Sequence, residues 1–106
     1  MSINDSNDIK DLINSNDMVI VYFTGLDCGA CETIKLKVEN ILLRYPKIKF
    51  YEVSGEKYPS IAADFGVFSL PIMILYVDNK ETIRVGRNIS IMDLEKDIYR
   101  YYNMIF

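Results

Sequence analysis

Few residues in this chain could do chemistry. Its 106 residues include no histidine, which excludes every mechanism that uses imidazole as base, proton shuttle or metal ligand. Two cysteines remain, three positions apart in the segment Leu26-Asp27-Cys28-Gly29-Ala30-Cys31. An apolar, β-branched run precedes them and a helical pattern follows, so the pair falls at a strand-to-helix junction. The free amides at a helix start amount to roughly half a positive charge. A thiolate placed there is stabilised, and its pKa falls below the ~8.5 of a free thiol. The spacing brings both sulfurs within bonding reach across the first turn, with the first the more exposed. Cys28 is thereby expected to be the attacking thiolate, and Cys31 the thiol that resolves the mixed disulfide. Gly29 and Ala30 are small and keep the approach open.

Three other uses of such a pair stay open. A structural disulfide closing so small a ring would constrain the unfolded chain little, and it is uncommon in a reducing compartment. A metal site needs about four soft ligands, which two cysteines and no histidine could complete only in a dimer or with an added ligand. The cysteines could also be inert core residues. A close cysteine pair beside a βαβ pattern in a cytosolic chain favours redox chemistry over all three.

The elements that position the pair are legible from periodicity and punctuation. Ile9, Leu12 and Ile13 share one face of a short helix over Asp5–Ser15, with Ser6 or Asp8 as its cap. Met18–Thr24 is apolar on both faces, as in a strand covered on both sides of an α/β sheet. After the cysteines, Ile34, Val38, Ile41, Leu42 and Tyr45 mark a long helix ended by Pro46. A second strand is expected over Ile48–Val53 and a short helix over Tyr58–Phe65, with Pro59 in its first turn and Gly66 just past its end. Pro71 opens a third strand, Ile72–Val77. A turn at Asp78–Lys80 leads to a fourth, Glu81–Val85, closed by Gly86. Ser90 and Asp93 open a final helix that turns Leu94, Ile98, Tyr101 and Tyr102 inward. The order is α-β-α-β-α-β-β-α. It predicts a mixed four-stranded sheet with helices on both faces, in one domain spanning residues 1–106.

Composition narrows the function further. The chain is 50% hydrophobic and 25% charged, with 5 Gly and 3 Pro, which fits a globular domain and excludes collagen, coiled coil and disorder. Twelve Lys+Arg against 15 Asp+Glu leave a net charge of −3, so there is no basic footprint for nucleic acid or an anionic membrane. The N-terminal segment has neither a basic region nor an apolar stretch of signal-peptide type, and the longest apolar run, Met18–Phe23, is far shorter than a membrane span. A cytoplasmic monomer is the resulting expectation. No glycine-rich phosphate loop or nucleotide fingerprint is present, so no bound cofactor is implied beyond a redox-active Cys28–Cys31 disulfide.

With these residues in place, the chain resembles the thioredoxin-like family over essentially its full length. Cys28-Gly29-Ala30-Cys31 follows the buried strand, Pro71 lies 40 residues beyond Cys31 at the head of the next-to-last strand, and Gly86 follows the last strand. The resemblance implies a three-layer sandwich with strand order 2-1-3-4 and at most a vestigial fifth strand near Ser2–Asn4. It implies a thiol–disulfide oxidoreductase acting on protein disulfides, with electrons returned by an external reductase or a small dithiol. Cys28 resembles the family's nucleophile and Cys31 its resolving cysteine. Pro71 resembles the cis-proline beside the disulfide, and Leu70 would offer backbone hydrogen bonds to an extended substrate. Asp27 and Phe68 would rim the site.

Departures from the family pattern bear on mechanism. Ala30 stands where thioredoxins carry proline and adds a backbone donor near sulfur, which favours the thiolate and a more oxidising pair. Asp27 and Glu32 replace an aromatic and a basic residue, and their charges oppose the helix dipole. The family's buried acid aligns with Tyr22 and its partner lysine with Glu52. One expectation is accordingly that Tyr22 and Glu52 lie together beneath Cys31, with Glu52 desolvated and accepting a proton from the resolving thiol; the competing one is that Glu52 is a solvent-facing strand residue and Tyr22 simply core. The same departures motivate an alternative function, a binding or accessory module whose redox activity is vestigial.

Overall fold

The computed structural model describes residues 5–26 and 28–106; Asp27 and the expected vestigial strand at Ser2–Asn4 lie outside them. Eight elements follow in the order α1 (Ser6–Ser15), β1 (Met18–Thr24), α2 (Gly29–Leu42), β2 (Lys49–Ser54), α3 (Pro59–Asp64), β3 (Ile72–Val77), β4 (Lys80–Val85) and α4 (Ile91–Ile105). The strands form one sheet in the order β2-β1-β3-β4. β1 runs parallel to β2 and antiparallel to β3, and β3 runs antiparallel to β4. The fold is the three-layer mixed sandwich expected from the pattern of elements.

β1 organises the molecule because all seven of its residues are buried. Side chains alternate across a strand, so its two faces feed two cores. Met18, Ile20 and Tyr22 pack with Ile34, Val38 and Ile41 of α2 and with Leu94 and Ile98 of α4. Val19, Val21 and Phe23 pack on the other side with Ile9 and Ile13 of α1 and Ile61 and Ala62 of α3. Truncating a fully buried residue such as Ile98 to alanine would cost about 2–5 kcal/mol, since both transfer energy and packing are lost.

Local chemistry sets the ends of the elements, with small departures from expectation. Asp5, not Ser6 or Asp8, caps α1: its carboxylate accepts from the Asp8 N–H at 3.1 Å, and the Asp8 carboxylate accepts from the Asp5 N–H at 3.2 Å. This reciprocal arrangement satisfies two otherwise orphaned donors. Ser6 instead donates its hydroxyl to Asp64 at the end of α3. α2 stops at Leu42, so Tyr45 reaches the core from a turn rather than from the helix. Asp78 and Asn79 both have positive φ, 51° and 68°, giving a two-residue hairpin turn whose twist suits the flanking strands. β4 accordingly begins at Lys80, one residue before the expected start.

The C-terminus of α3 is held from two sides. Gly66 adopts φ 69°, and the Val67 N–H returns to the Ala62 carbonyl at 2.8 Å, closing the helix in a left-handed cap. Arg84 of β4 then donates to the Phe65 carbonyl at 2.8 Å and the Gly66 carbonyl at 3.2 Å. The same guanidinium donates to both Glu81 carboxylate oxygens, at 2.9 and 2.7 Å. This bidentate bond, with the attraction of the Arg84 charge added and burial opposing both, holds Glu81 below its ordinary pKa range.

Arg84→Ala should lower stability by about 1 kcal/mol in neutral buffer, since the contacts are part-exposed and screened. A depressed folded pKa adds stability above the unfolded glutamate value and loses it as pH falls through the folded one. The gap in melting temperature between wild type and Arg84→Ala should therefore narrow below about pH 4. Thermal melts across that range check it.

Candidate functional site

β1, β2 and β4 run in the same direction and end at one edge of the sheet, so the loops that follow them converge there. The loop after β1 delivers the cysteines. Cys28 is the N-cap of α2, with an extended backbone at φ −100° and ψ 95°, and it is half-buried. Its Sγ accepts from the Cys31 backbone N–H at 3.1 Å. Cys31 sits one turn inside the helix and is 4% exposed. The two sulfurs are joined, with S–S 2.12 Å and Cα–Cα 5.2 Å. Gly29 opens on free space, with no other atom within 4 Å of where a Cβ would stand, and Ala30 is half-buried beside it. An incoming partner thus meets Cys28 before Cys31.

Tyr22 lies beneath the pair, as expected. It is 1% exposed, and its hydroxyl donates to the Cys31 backbone carbonyl at 2.9 Å. Burial first, then the charges of Glu52 and Glu32, push its pKa up to about 12, so it remains a neutral donor at any physiological pH. The hydroxyl therefore fixes the start of α2 against β1 and does not act as a base.

The expectation for Glu52 requires correction. Glu52 is the register partner of Tyr22, but β2 is an edge strand and leaves the carboxylate 36% exposed. The carboxylate is not desolvated. It accepts from Thr24 Oγ1 at 3.0 Å and pairs with Lys35 Nζ at 2.9 Å. The bond from Glu52, then its charge, holds Lys35 above its ordinary pKa. With its oxygens engaged by Thr24 and Lys35, Glu52 anchors α2 to β2 through Lys35. Lys35 escaped the sequence reading, although a residue four positions after Cys31 lies on the same helix face.

Pro71 is fully buried, and the Leu70–Pro71 peptide is cis. The Leu70 side chain fills the space beside two glycines. A Cβ at Gly55 would stand 2.8 Å from its Cδ2, and one at Gly25 would stand 3.4 Å from its Cδ1. Leu70 lines the Cys28 cleft, which has a volume of about 320 Å³. Phe68 is 86% exposed and lines an adjoining groove on the α3 side of Leu70, so it is not brought into the cleft itself. Glu56 and Arg87 do line the cleft and were not expected there. Among the described residues, no cluster of histidine, cysteine, aspartate and glutamate could hold a metal ion.

A helix-capping cysteine bonded to a buried cysteine one turn away, at the open edge of a mixed α/β sandwich, defines a class: the dithiol oxidoreductases. The thioredoxin family model matches residues 1–100. Over 88 residues the chain is 33% identical to thioredoxin-1 of Schizosaccharomyces pombe, covering 81% of this chain and 84% of that one. It is 24% identical to the thioredoxin-like protein YdfQ of Bacillus subtilis, over 91% of this chain and 86% of that one. The crystal structure of oxidised mitochondrial thioredoxin 3 from Saccharomyces cerevisiae superposes with a TM-score of 0.80 at 24% identity, covering 92% of each chain. The chain belongs to the thioredoxin family and is a thiol–disulfide oxidoreductase. Thioredoxins act on protein disulfides without an added cofactor, through their own redox-active disulfide.

The assignment of Tyr22 as a neutral strut is open to spectrophotometric titration. The difference between wild type and Tyr22→Phe should show tyrosinate forming near pH 12. Because that folded pKa is raised, the unfolded chain ionises first. The stability of wild type relative to Tyr22→Phe should hold below about pH 10 and fall between there and the folded value. A Tyr22 signal centred on the ordinary phenol value would contradict the assignment.

Proposed function

We propose that Cys28 is the nucleophile and Cys31 the resolving thiol of a protein-disulfide reductase. In the reduced protein, the Cys28 thiolate attacks one sulfur of a substrate disulfide. The substrate S–S bond breaks, and the departing thiolate takes a proton from water. Cys31 then attacks Cys28 Sγ, releases its own proton to water and expels the second substrate thiol. The substrate gains two electrons, and the protein is left with a Cys28–Cys31 disulfide. An external reductase or a small dithiol restores the pair.

The observation that carries this reading is the Cys31 N–H aimed at Cys28 Sγ at 3.1 Å. A donor in that position stabilises negative charge on the outer sulfur, and the inner sulfur is within bonding reach of it to displace a substrate thiol held there. The cis Leu70–Pro71 peptide sets the Leu70 backbone beside the cleft, where an extended substrate strand could pair with it. Gly29 and Ala30 leave room for that strand. Phe68 would meet a protein partner outside the cleft, and Asp27, next to Cys28 in sequence, is proposed as a further contact for that partner. The site of action is the cytoplasm, and the working unit is a monomer. Among the described residues no helix is long and apolar enough to cross a membrane.

The roles of the two cysteines separate in a trapping experiment. Cys31→Ser should accumulate mixed disulfides through Cys28 when the reduced protein meets disulfide-bearing proteins. Cys28→Ser should accumulate none, and its insulin reduction with dithiothreitol should fall to the rate of dithiothreitol alone. Equal insulin reduction by wild type and Cys28→Ser would overturn the proposal.

A further inference from the structure

We propose that the cleft beside Cys28 also takes a small zwitterionic disulfide of the cystine type, with Glu56 receiving its ammonium and Arg87 its carboxylate. The inference rests on the reading of Cys28 as the attacking sulfur and adds a substrate class to it.

Three loops meet at the sheet edge where β1, β2 and β4 end. They bring Cys28, Glu56 and Arg87 to the lining of one cleft of about 320 Å³. This is the small end of the ~300–1,000 Å³ range of small-molecule sites. The Glu56 carboxylate leans over the loop leading to Cys28, with Oε1 2.7 Å from where a Cβ on Gly25 would stand. Gly25 is thus the one residue type that lets the carboxylate occupy that place. Arg87 follows Gly86, which packs close to the Pro71 carbonyl, 3.5 Å from where a Cβ would stand. Among the described residues, neither Glu56 nor Arg87 enters an ion pair, while Lys35, Arg44, Arg84 and Arg100 all do.

Two charges of opposite sign, neither in an ion pair with a described residue, stand beside a reactive sulfur and select the ligand by chemistry. In cystine, the carbon bearing both the ammonium and the carboxylate is one methylene from the sulfur. Attack by Cys28 therefore carries both charges into the same cleft. In a protein disulfide those two groups are neutral amides, so neither Glu56 nor Arg87 gains a partner from the backbone at that point. The reaction balances within the scheme above. The Cys28 thiolate breaks the cystine S–S bond and releases one cysteine, which takes a proton from water. Cys31 loses its proton to water, displaces the second cysteine and leaves the Cys28–Cys31 disulfide, which dithiothreitol reduces for the next turnover.

The test compares cystine with cystamine, which keeps only the ammonium groups, and with dithiodipropionate, which keeps only the carboxylates. Each rate with reduced protein is divided by the rate of that disulfide with dithiothreitol alone, at fixed ionic strength. Cystine should give the largest ratio. Arg87→Gln should slow cystine and dithiodipropionate about three- to tenfold, the size of a partly screened charge contact, and should not slow cystamine. Glu56→Gln should slow cystine and cystamine and spare dithiodipropionate. A cystine ratio no larger than the other two, or variants that change all three alike, would overturn the proposal. Insulin reduction by wild type distinguishes the two levels. If insulin is reduced and the charge pattern is absent, only the cystine site falls. If insulin is not reduced either, the reading of Cys28 falls with it.

Discussion

The site depends on one contact, the backbone N–H of Cys31 directed at the sulfur of Cys28. A helix start leaves its first amides without intrahelical partners, and here a cysteine sulfur takes the place usually held by a serine or aspartate oxygen. The same group therefore caps a helix and is the sulfur proposed as the nucleophile. Such a cap works only if the helix is fixed in place and orientation. The fully buried strand β1, which aims the chain at the sheet edge, and the core of Ile34, Val38 and Ile41 beneath α2 supply that constraint.

Two further attachments hold the first turn and a half of α2. The Tyr22 hydroxyl reaches up from β1 to the Cys31 carbonyl, and Lys35 reaches across to Glu52 at the edge of β2. One is buried and neutral, the other part-exposed and charged. A buried ion pair at this place would carry a desolvation cost that a phenol and a solvent-reachable pair avoid. Acidic Glu32 in the first turn still opposes the anionic sulfur, so the local amides and the nearby carboxylates act in opposite directions on Cys28. The amide contact is direct, whereas Glu32 is exposed and its charge is screened by water.

Most of the fold was legible in the chain because its signals are local. β1 and β3 have the bounds that their apolar runs suggested, and the strand order is the one that the family resemblance implied. The cysteine pair was legible for the same reason, since a three-residue step at a strand-to-helix junction is a local pattern. What escaped was set by tertiary neighbours. Nothing in Glu52 itself says that Lys35 of α2 will cover its carboxylate. Glu56 and Arg87 lie 31 positions apart and meet only because β2 and β4 end at the same edge. Spacing along the loop likewise does not say on which side of Leu70 the Phe68 ring falls; it lines the groove that adjoins the Cys28 cleft.

The most direct measurement is the pH titration of the Cys28 thiolate in the reduced protein, followed by its ultraviolet absorbance with Cys28→Ser as the blank. The account predicts half-ionisation below the ~8.5 of a free thiol, because the amide contact outweighs the flanking carboxylates. Half-ionisation at or above that value would mean that the helix start does not activate the sulfur, and the central claim would be wrong.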